Sequence, residues 1–156
     1  AMSLRPHSSV VHPSNLETRV WKVSSEVGTE KLVKDLTGAA DLLKQNEVVG
    51  FPTETVYGLG GNATSNEAIS KIFGAKGRPS DNPLIVHVCS LDMCLSLVTS
   101  MHPIVCKLVK AFWPGPLTVV LPVKPHYLSS QVTAGLDSVG VRMPSHPVAL
   151  ALIEAA

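Results

Sequence analysis

Two short segments of the chain concentrate the side chains that could carry out chemistry. Residues 51–61 follow an apolar run and contain two threonines, a glutamate, a tyrosine and three glycines. Residues 76–83 contain Lys76 and Arg78, followed by Ser80, Asp81 and Asn82. These residue types suit a bound polyanion. The glycines let a ligand approach the backbone, and the short polar side chains and the Lys/Arg pair can bind its charged oxygens. A surface turn followed by a solvated charge pair is an equally good interpretation, because neither segment has a standard phosphate-loop signature.

The composition predicts one globular domain with no membrane partner. The chain has 156 residues, of which 45% are hydrophobic and 16% charged, enough for a core and too few charges for a disordered chain. The net charge of +1 provides no global field that would attract nucleic acid. Three cysteines without a CxxC pair and six dispersed histidines argue against a disulfide framework and against a protein-built metal site. No apolar run approaches about 20 residues, so no membrane span is predicted.

The first residues favour a cytoplasmic protein. Residues 1–19 are polar, include two prolines and lack the apolar segment of a secretory signal, so they are predicted to form an arm. The same residues contain Arg5, Arg19, several serines and one acid, Glu17, which leaves an organellar address as an alternative.

Strands alternate with helices along the rest of the chain. This alternation predicts an α/β fold: a single domain with a twisted mixed, mainly parallel sheet flanked by helices. The predicted strands are residues 20–23, 48–51, 84–88, 117–121 and 139–143. Four of the predicted helices are residues 29–46, 91–98, 103–112 and 147–155. A fifth opens with a capping box at 64–67 and ends near 74–77. Residues 125–136 are predicted to be a loop.

The chain stops at Ala156 without a helix stop signal. A parallel α/β sheet normally places another strand after such a helix. We therefore expect either a C-terminal truncation or an unusually small domain, with an exposed strand edge that favours self-association.

Four segments in this order resemble the Sua5/YrdC/YciO family. They are residues 51–61, 75–87, 113–118 and 139–144. The resemblance runs from about residue 20 to residue 156, which sets the expected division into an arm, 1–19, and a YrdC-like domain, 20–156. It implies the fold of YrdC and RibB, a twisted mixed sheet with helices on its faces around a concave basic cleft.

The resemblance also implies an activity. Members of the family are threonylcarbamoyl-AMP synthases, which convert L-threonine, bicarbonate and ATP, bound with Mg²⁺, into threonylcarbamoyl-AMP and pyrophosphate. A transferase complex then passes the threonylcarbamoyl group to the tRNA adenosine beside the anticodon. The implied partners are therefore these small substrates, with tRNA reached only indirectly.

Seven residues match the functional positions of the family. The resemblance implies catalytic roles for Lys76 and Arg78, threonine contacts for Thr55, His87 and Arg142, and ATP contacts for Arg78, Asn82 and Ser138. Arg142 ends an apolar strand, where a buried guanidinium needs a partner, and the threonine carboxylate is geometrically suitable.

Simpler structural roles remain open for these positions. Lys76 and Arg78 can form an exposed basic turn, and Asn82 can be a turn residue, a role compatible with contacting the nucleotide. Thr53 or Thr55 can form local turn hydrogen bonds, His87 can be a satisfied core side chain, and Ser138 can be a strand-edge hydroxyl. Trp113 and Pro114 are predicted to contribute packing rather than chemistry.

One family motif is missing from the chain. Family members carry a later Ser-x-Asn pair, on the strand after the helix that begins near Pro147, and residues 80–82 belong to the earlier motif instead. A first alternative is therefore a non-catalytic module that binds nucleotide or RNA. A second alternative is the related carbamoyl-transfer domain of hydrogenase maturation proteins. Those proteins also carry zinc-finger and acylphosphatase-like regions, which nothing in this sequence resembles.

Overall fold

The computed structural model describes residues 17–156. Most of the predicted arm lies outside the described residues, and the part that is described, 17–19, is exposed and belongs to no helix or strand. The helices are α1 Thr29–Asp35, α2 Thr37–Lys44, α3 Asn66–Lys76, α4 Leu91–Leu97, α5 Pro103–Phe112, α6 Ser130–Thr133 and α7 Pro147–Ala155. The strands are β1 Val49–Phe51, β2 Gly58–Gly60, β3 Ile85–His87, β4 Thr118–Pro122 and β5 Ser138–Arg142.

The strands form a mixed three-stranded sheet and a separate pair. The order in the larger sheet is β3-β5-β4, with β3 parallel and β4 antiparallel to β5. Strands β1 and β2 pair antiparallel. The predicted α/β fold with a mixed sheet is confirmed, but the emphasis on parallel strands is wrong. Two of the three pairings between these strands join strands that follow one another in the chain, β1–β2 and β4–β5, and both are antiparallel.

The three-stranded sheet has one buried face and one open face. Because side chains alternate along a strand, the register assigns each residue to a face. The buried face carries Val86, Val119, Leu121, Val139 and Val141, all less than 9% exposed. The open face carries Ile85, His87, Thr118, Val120, Ser138, Gly140 and Arg142. Three of the predicted site residues, His87, Ser138 and Arg142, therefore share the open face.

Two clusters of apolar side chains stabilise the fold. The sheet core joins the buried face of the sheet to α3, α4, α5 and α6. The helical core joins α1, α2 and α7 to β1, with Leu32, Ala40 and Leu152 among its buried members. Strand β1 contributes Phe51 to the helical core, while Leu59 of β2 packs against the sheet core. The β1–β2 pair therefore lies between the two clusters.

The predicted long helix of residues 29–46 is in fact two helices. Leu36 lies outside the helical region with φ −94° and ψ 2°, and separates α1 from α2. The Thr37 hydroxyl donates to the carbonyl oxygens of Val33 and Lys34, at 3.2 and 2.9 Å. Such back-bonding by threonine bends helices. Gly28 is the N-cap of α1.

Residues 20–23 were predicted to form a strand, and this was wrong. They adopt no regular structure, and Trp21 instead packs against the helical core. A Cβ atom at Gly38 would lie 3.3 Å from the Trp21 indole nitrogen, so this glycine allows the ring to approach α2 closely.

The other predicted elements lie within two residues of the observed ones, and two observed elements, β2 and α6, were not predicted. The N-cap of α3 is Ser65 rather than Thr64: its hydroxyl accepts the Ala68 N–H at 3.2 Å. The predicted capping box does not form, because Ala68 has no side chain that can return the second hydrogen bond. Helix α6 occupies part of the segment predicted to be a loop, and its four residues are too few for a periodic pattern. Among the described residues, no helix combines the length and the apolar character needed to cross a membrane.

Candidate functional site

A group of hydrogen bonds at one end of the open face surrounds Arg142. Its guanidinium Nη2 donates to the Glu54 carboxylate, and its Nε donates to the Gly115 carbonyl oxygen at 3.2 Å. Only 12% of the Arg142 side chain is exposed, so the predicted need for a partner is met within the protein. Glu54 also accepts the backbone N–H of Ser145, at 3.0 Å. The chain segment before β2 and the end of β5 are thus joined by one carboxylate.

A tight loop presents the Gly115 carbonyl to Arg142. The Trp113–Pro114 peptide bond is cis, and the Trp113 indole N–H donates to the Leu117 carbonyl oxygen at 2.8 Å. The Gly115 N–H donates to the Met143 carbonyl oxygen, also at 2.8 Å. A Cβ atom at Gly115 would lie 2.6 Å from the carbonyl oxygen of Phe112, so a larger residue does not fit. The loop predicted only to pack therefore also fixes one side of the guanidinium.

His87 lies directly beside Arg142 in the parallel pairing of β3 with β5. Its ring meets Phe51 edge-on, with centroids 5.7 Å apart and planes at 81°. Burial lowers the pKa of His87, and a hydrogen bond with the backbone of Ile85 offsets this lowering in part. The imidazole is therefore neutral at pH 7, where it can both donate and accept a hydrogen bond.

The turn between β1 and β2 holds two threonines in different roles. The Thr53 hydroxyl accepts the backbone N–H of Val56 and donates to the Val56 carbonyl oxygen, at 3.2 and 2.6 Å. Thr53 therefore forms local hydrogen bonds within the turn, which was the simpler of the two alternatives for this segment. Thr55 is exposed, and its hydroxyl lies 3.1 Å from that of Thr53. Since Thr55 directly follows Glu54, the backbone places it next to the Arg142 contact.

The basic pair lies at the other end of the sheet. Lys76 is the last residue of α3, and Gly77 ends the helix in the left-handed conformation, with φ 59°. Both Lys76 and Arg78 are exposed, and the Arg78 Nη2 donates to the Pro83 carbonyl oxygen at 3.0 Å. The predicted position at a helix C-terminus is confirmed. Asn82 is exposed in the turn that leads into β3.

Ser138 marks the same end of the sheet as this turn. It is the first residue of β5 and pairs with Pro122, whereas Arg142 is the last residue. Four residues of strand separate Ser138 from Arg142 by about 13 Å. The predicted residues thus form two groups. Thr55, His87 and Arg142 lie at the C-terminal ends of β3 and β5, while Arg78, Asn82 and Ser138 lie at the N-terminal ends.

Two further features of the described residues bear on possible chemistry. A cleft of about 510 Å³ lies between α3 and α6 and is lined by Ser70, Phe73, Ser80, Asp81, Ser130, Gln131, Ala134 and Gly135, so it includes none of the predicted site residues. Within residues 17–156, no group of three His, Cys, Asp or Glu side chains is arranged to hold a metal ion.

Sequence reasoning missed two members of the Arg142 site, Glu54 and the Gly115 carbonyl. Glu54 is the single acid in residues 51–61, and that isolation was the available signal. The carbonyl left no signal, because every residue has one.

The chain is similar to known proteins in sequence and in fold. A family model described as "Telomere recombination", for Sua5, YciO and YrdC, matches residues 41–156. The threonylcarbamoyl-AMP synthase of Bacillus subtilis is 51% identical over 140 residues, which cover 88% of this chain and 40% of that protein. The threonylcarbamoyl-AMP synthase of Pyrococcus abyssi is 51% identical over 116 residues, covering 74% of this chain and 34% of that protein.

A solved structure of a Sua5 protein is also similar to this chain. The crystal structure of P. abyssi Sua5 complexed with L-threonine superposes with a TM-score of 0.76 at 47% identity, covering 79% of this chain and 36% of that one. The chain thus spans about two fifths or less of the length of these relatives.

Proposed function

The chain belongs to the Sua5/YciO/YrdC family, and from this premise we propose that it is the catalytic region of a threonylcarbamoyl-AMP synthase. The reaction consumes L-threonine, bicarbonate and ATP, and its product serves threonylcarbamoyladenosine formation in tRNA through a separate transferase. The observation that carries the proposal is the open sheet face, on which His87 and Arg142 lie at one end and Ser138 at the other. The relatives' printed name and the threonine complex of P. abyssi Sua5 support it.

In this proposal threonine binds at the Arg142 end. The Arg142 guanidinium pairs with the substrate carboxylate, since arginine grips carboxylates through two parallel N–H donors. The neutral His87 imidazole and the exposed Thr55 hydroxyl supply hydrogen bonds to the amine and hydroxyl groups of threonine. Because Phe51 closes one side of His87, the pocket has both polar and apolar walls.

ATP extends toward the other end of the same face. Arg78, Asn82 and Ser138 contact the nucleotide, and Mg²⁺ arrives with its phosphates as part of the substrate. The turn at 76–83 is exposed and holds two cations, as a triphosphate site requires. The separation of about 13 Å between Ser138 and Arg142 leaves room for the α-phosphate between the two groups of residues.

The chemistry proceeds in two steps. The threonine amine adds to bicarbonate, forming a C–N bond and releasing water, to give a carbamate. A carbamate oxygen then attacks the α-phosphorus of ATP, forming a P–O bond while the bond to the bridging oxygen breaks and pyrophosphate leaves. Lys76 and Arg78 stabilise the negative charge that builds up on the phosphate oxygens. These residues supply position and charge rather than covalent catalysis.

The test is pyrophosphate release by the purified protein with L-threonine, bicarbonate and MgATP, together with mass-spectrometric detection of the adenylate. We expect release that depends on threonine. Lys76→Ala and Arg78→Ala should each lower the rate by about 10- to 100-fold, since a hydrogen bond to a charged group contributes roughly 1.5–3 kcal/mol. Both side chains are exposed, so the melting temperature should change little.

Lys110→Ala is the matched control, because Lys110 is an exposed lysine on α5 outside the candidate site. It should leave the rate unchanged. ATP binding without threonine-dependent pyrophosphate release would refute the synthase and favour the alternative, a nucleotide-binding module. Near-normal turnover in both Lys76→Ala and Arg78→Ala would refute the catalytic roles of these two residues.

A further inference from the structure

Glu54 contacts Arg142 of the proposed threonine site, although Glu54 was not among the predicted site residues. Its Oε1 accepts an N–H from Arg142 Nη2, and its Oε2 accepts the Ser145 backbone N–H at 3.0 Å. We propose that Glu54 is a positioning residue, which holds the Arg142 guanidinium in the orientation that binds the threonine carboxylate. This inference rests on the proposed function. In it, Glu54 does not touch the substrate but acts through Arg142.

The hydrogen bonds of Arg142 leave one edge of its guanidinium available. Arginine has five N–H donors, and the protein uses the one on Nε and one on Nη2. The two donors on Nη1 and the second on Nη2 have no partner among the described residues. Nη1 and Nη2 together form the end of the planar fork, which can grip a carboxylate through two parallel bonds. The protein therefore grips the guanidinium on two sides and leaves the end of the fork for a ligand.

Two contacts from separate parts of the chain define the guanidinium plane. Gly115 holds Nε from the loop before β4, and Glu54 holds Nη2 from the turn after β1. Neither contact alone prevents rotation about the last side-chain bonds. With both in place, the fork is oriented before the substrate arrives, so less conformational entropy is lost on binding.

The charge of Glu54 matters as well as its shape. The exposed fractions of the Arg142 and Glu54 side chains are 12% and 22%, so the ion pair is largely shielded from water. The Glu54 carboxylate accepts two hydrogen bonds, one through each oxygen. A neutral amide at position 54 has only one acceptor oxygen, so its NH₂ group would face one of the same two N–H donors. The Arg142 guanidinium would then turn toward other acceptors, and its open edge would no longer face the substrate.

The variant that tests this is Glu54→Gln, measured by steady-state kinetics in the purified protein. We expect the KM for L-threonine to rise about tenfold, while kcat and the KM for ATP change by less than about twofold. An interaction made equally in the ground state and in the transition state changes KM alone. A role in folding would instead lower activity and melting temperature together, without a preference for threonine.

Two further variants sharpen the result. Glu67→Gln removes a carboxylate that pairs with a different cation, Lys71, and should leave all three constants unchanged. Glu54→Asp keeps the charge on a shorter side chain, and its KM for threonine should lie between those of the wild type and Glu54→Gln. If Glu54→Gln does not fold, the Glu54→Asp variant decides the question: a KM for threonine equal to that of the wild type refutes the positioning role.

A double-mutant cycle tests whether Glu54 acts through Arg142. In the Arg142→Gln background, adding Glu54→Gln should change the threonine KM by less than about twofold. A full tenfold effect in that background would show that Glu54 acts independently. An unchanged threonine KM in the single Glu54→Gln variant would also overturn the inference, and a lower KM would mean that Glu54 competes with the substrate.

The outcomes separate this inference from the proposed function. A wild-type protein without threonine-dependent pyrophosphate release would refute the proposed function and this inference with it. Normal wild-type turnover together with an unaltered threonine KM in Glu54→Gln would refute the positioning role alone.

Discussion

At the scale of single residues, His87 links the environment of the site to the pH dependence of stability. Burial lowers the pKa of His87 in the folded protein below the ordinary histidine value near 6.5. Above pH 6.5 the imidazole is neutral in both the folded and the unfolded states. As the pH falls through 6.5, the unfolded state takes up a proton that the folded state does not. His87 therefore lowers the free energy of unfolding below pH 6.5, and its contribution levels off below the folded pKa.

This predicts the behaviour of a His87→Gln variant. Thermal melts between pH 7.5 and pH 5 should show a weaker loss of stability than in the wild type, by at most about 1.4 kcal/mol per pH unit. His126→Asn is the control. His126 is exposed with φ 62°, a conformation that asparagine tolerates, so this variant should keep the wild-type dependence. Equal pH slopes in His87→Gln and the wild type would contradict the assignment.

The residue types also explain how much of the site the sequence can predict. Arg142 follows an apolar strand, and from this position its need for a partner was correctly inferred. Its partner within the protein is Glu54, 88 residues earlier in the chain. Residue type alone does not choose among the 12 acids of the chain, because the choice depends on how β1, β2 and β5 are arranged. The roles of all seven predicted site residues in binding and catalysis stay predictions.

At the scale of elements, the loop at residues 113–117 has both a structural and a functional role. Its carbonyl at Gly115 holds Arg142, and its N–H at the same residue holds Met143. Gly115→Ala places a methyl group 2.6 Å from the Phe112 carbonyl oxygen, which is backbone and cannot turn away. We expect a loss of about 1–3 kcal/mol in the free energy of unfolding, as for other overpacked sites. The threonine KM should rise as well, because the loop must shift.

Gly74→Ala provides the matched comparison for Gly115→Ala. Gly74 lies within α3, and no atom lies within 4 Å of a Cβ built at this position. Alanine is the better helix former, so this variant should gain about 0.5–1 kcal/mol. Chemical denaturation of both variants measures the two changes. A Gly115→Ala protein as stable as the wild type would show that the loop can move without cost.

Elements with strong local signals were predicted well, and those set by distant contacts were not. Helices α5 and α7 begin at prolines, and their predicted bounds match the observed ones. The division of residues 29–46 depends on the hydroxyl of Thr37, whose hydrogen bonds the apolar periodicity does not reveal. The direction of strand pairing depends on which strands become neighbours, and for that reason the predicted mainly parallel sheet was wrong.

At the scale of the whole molecule, the two cores are joined by contacts that cross between them. Lys71 of α3 donates to the Asn46 carbonyl oxygen and to the Glu47 carboxylate, both at 3.0 Å, and so ties the sheet core to the segment after α2. The ring contact between Phe51 and His87 and the pairing of Glu54 with Arg142 cross the same boundary. The candidate site therefore lies where the two cores meet.

This arrangement predicts a single cooperative unfolding transition, and the two tryptophans can report on it separately. Trp21 packs against the helical core and Trp113 against the sheet core. The Trp21→Phe and Trp113→Phe proteins each keep one tryptophan. We expect the unfolding curve of each protein to fit a two-state model. Their fluorescence and far-ultraviolet circular dichroism should give the same midpoint in urea within each protein.

Leu32→Ala extends the test across the boundary. Leu32 lies in the helical core and is 1% exposed, so its truncation should cost roughly 2–5 kcal/mol. If the cores unfold together, the loss measured through Trp113 in the sheet core equals the loss measured through Trp21. If they unfold separately, Leu32→Ala shifts the Trp21 transition and leaves that of Trp113 in place. The second result would mean that the contacts of Lys71, Phe51 and Glu54 do not couple the two cores, and that the helical core can unfold while the sheet core stays folded.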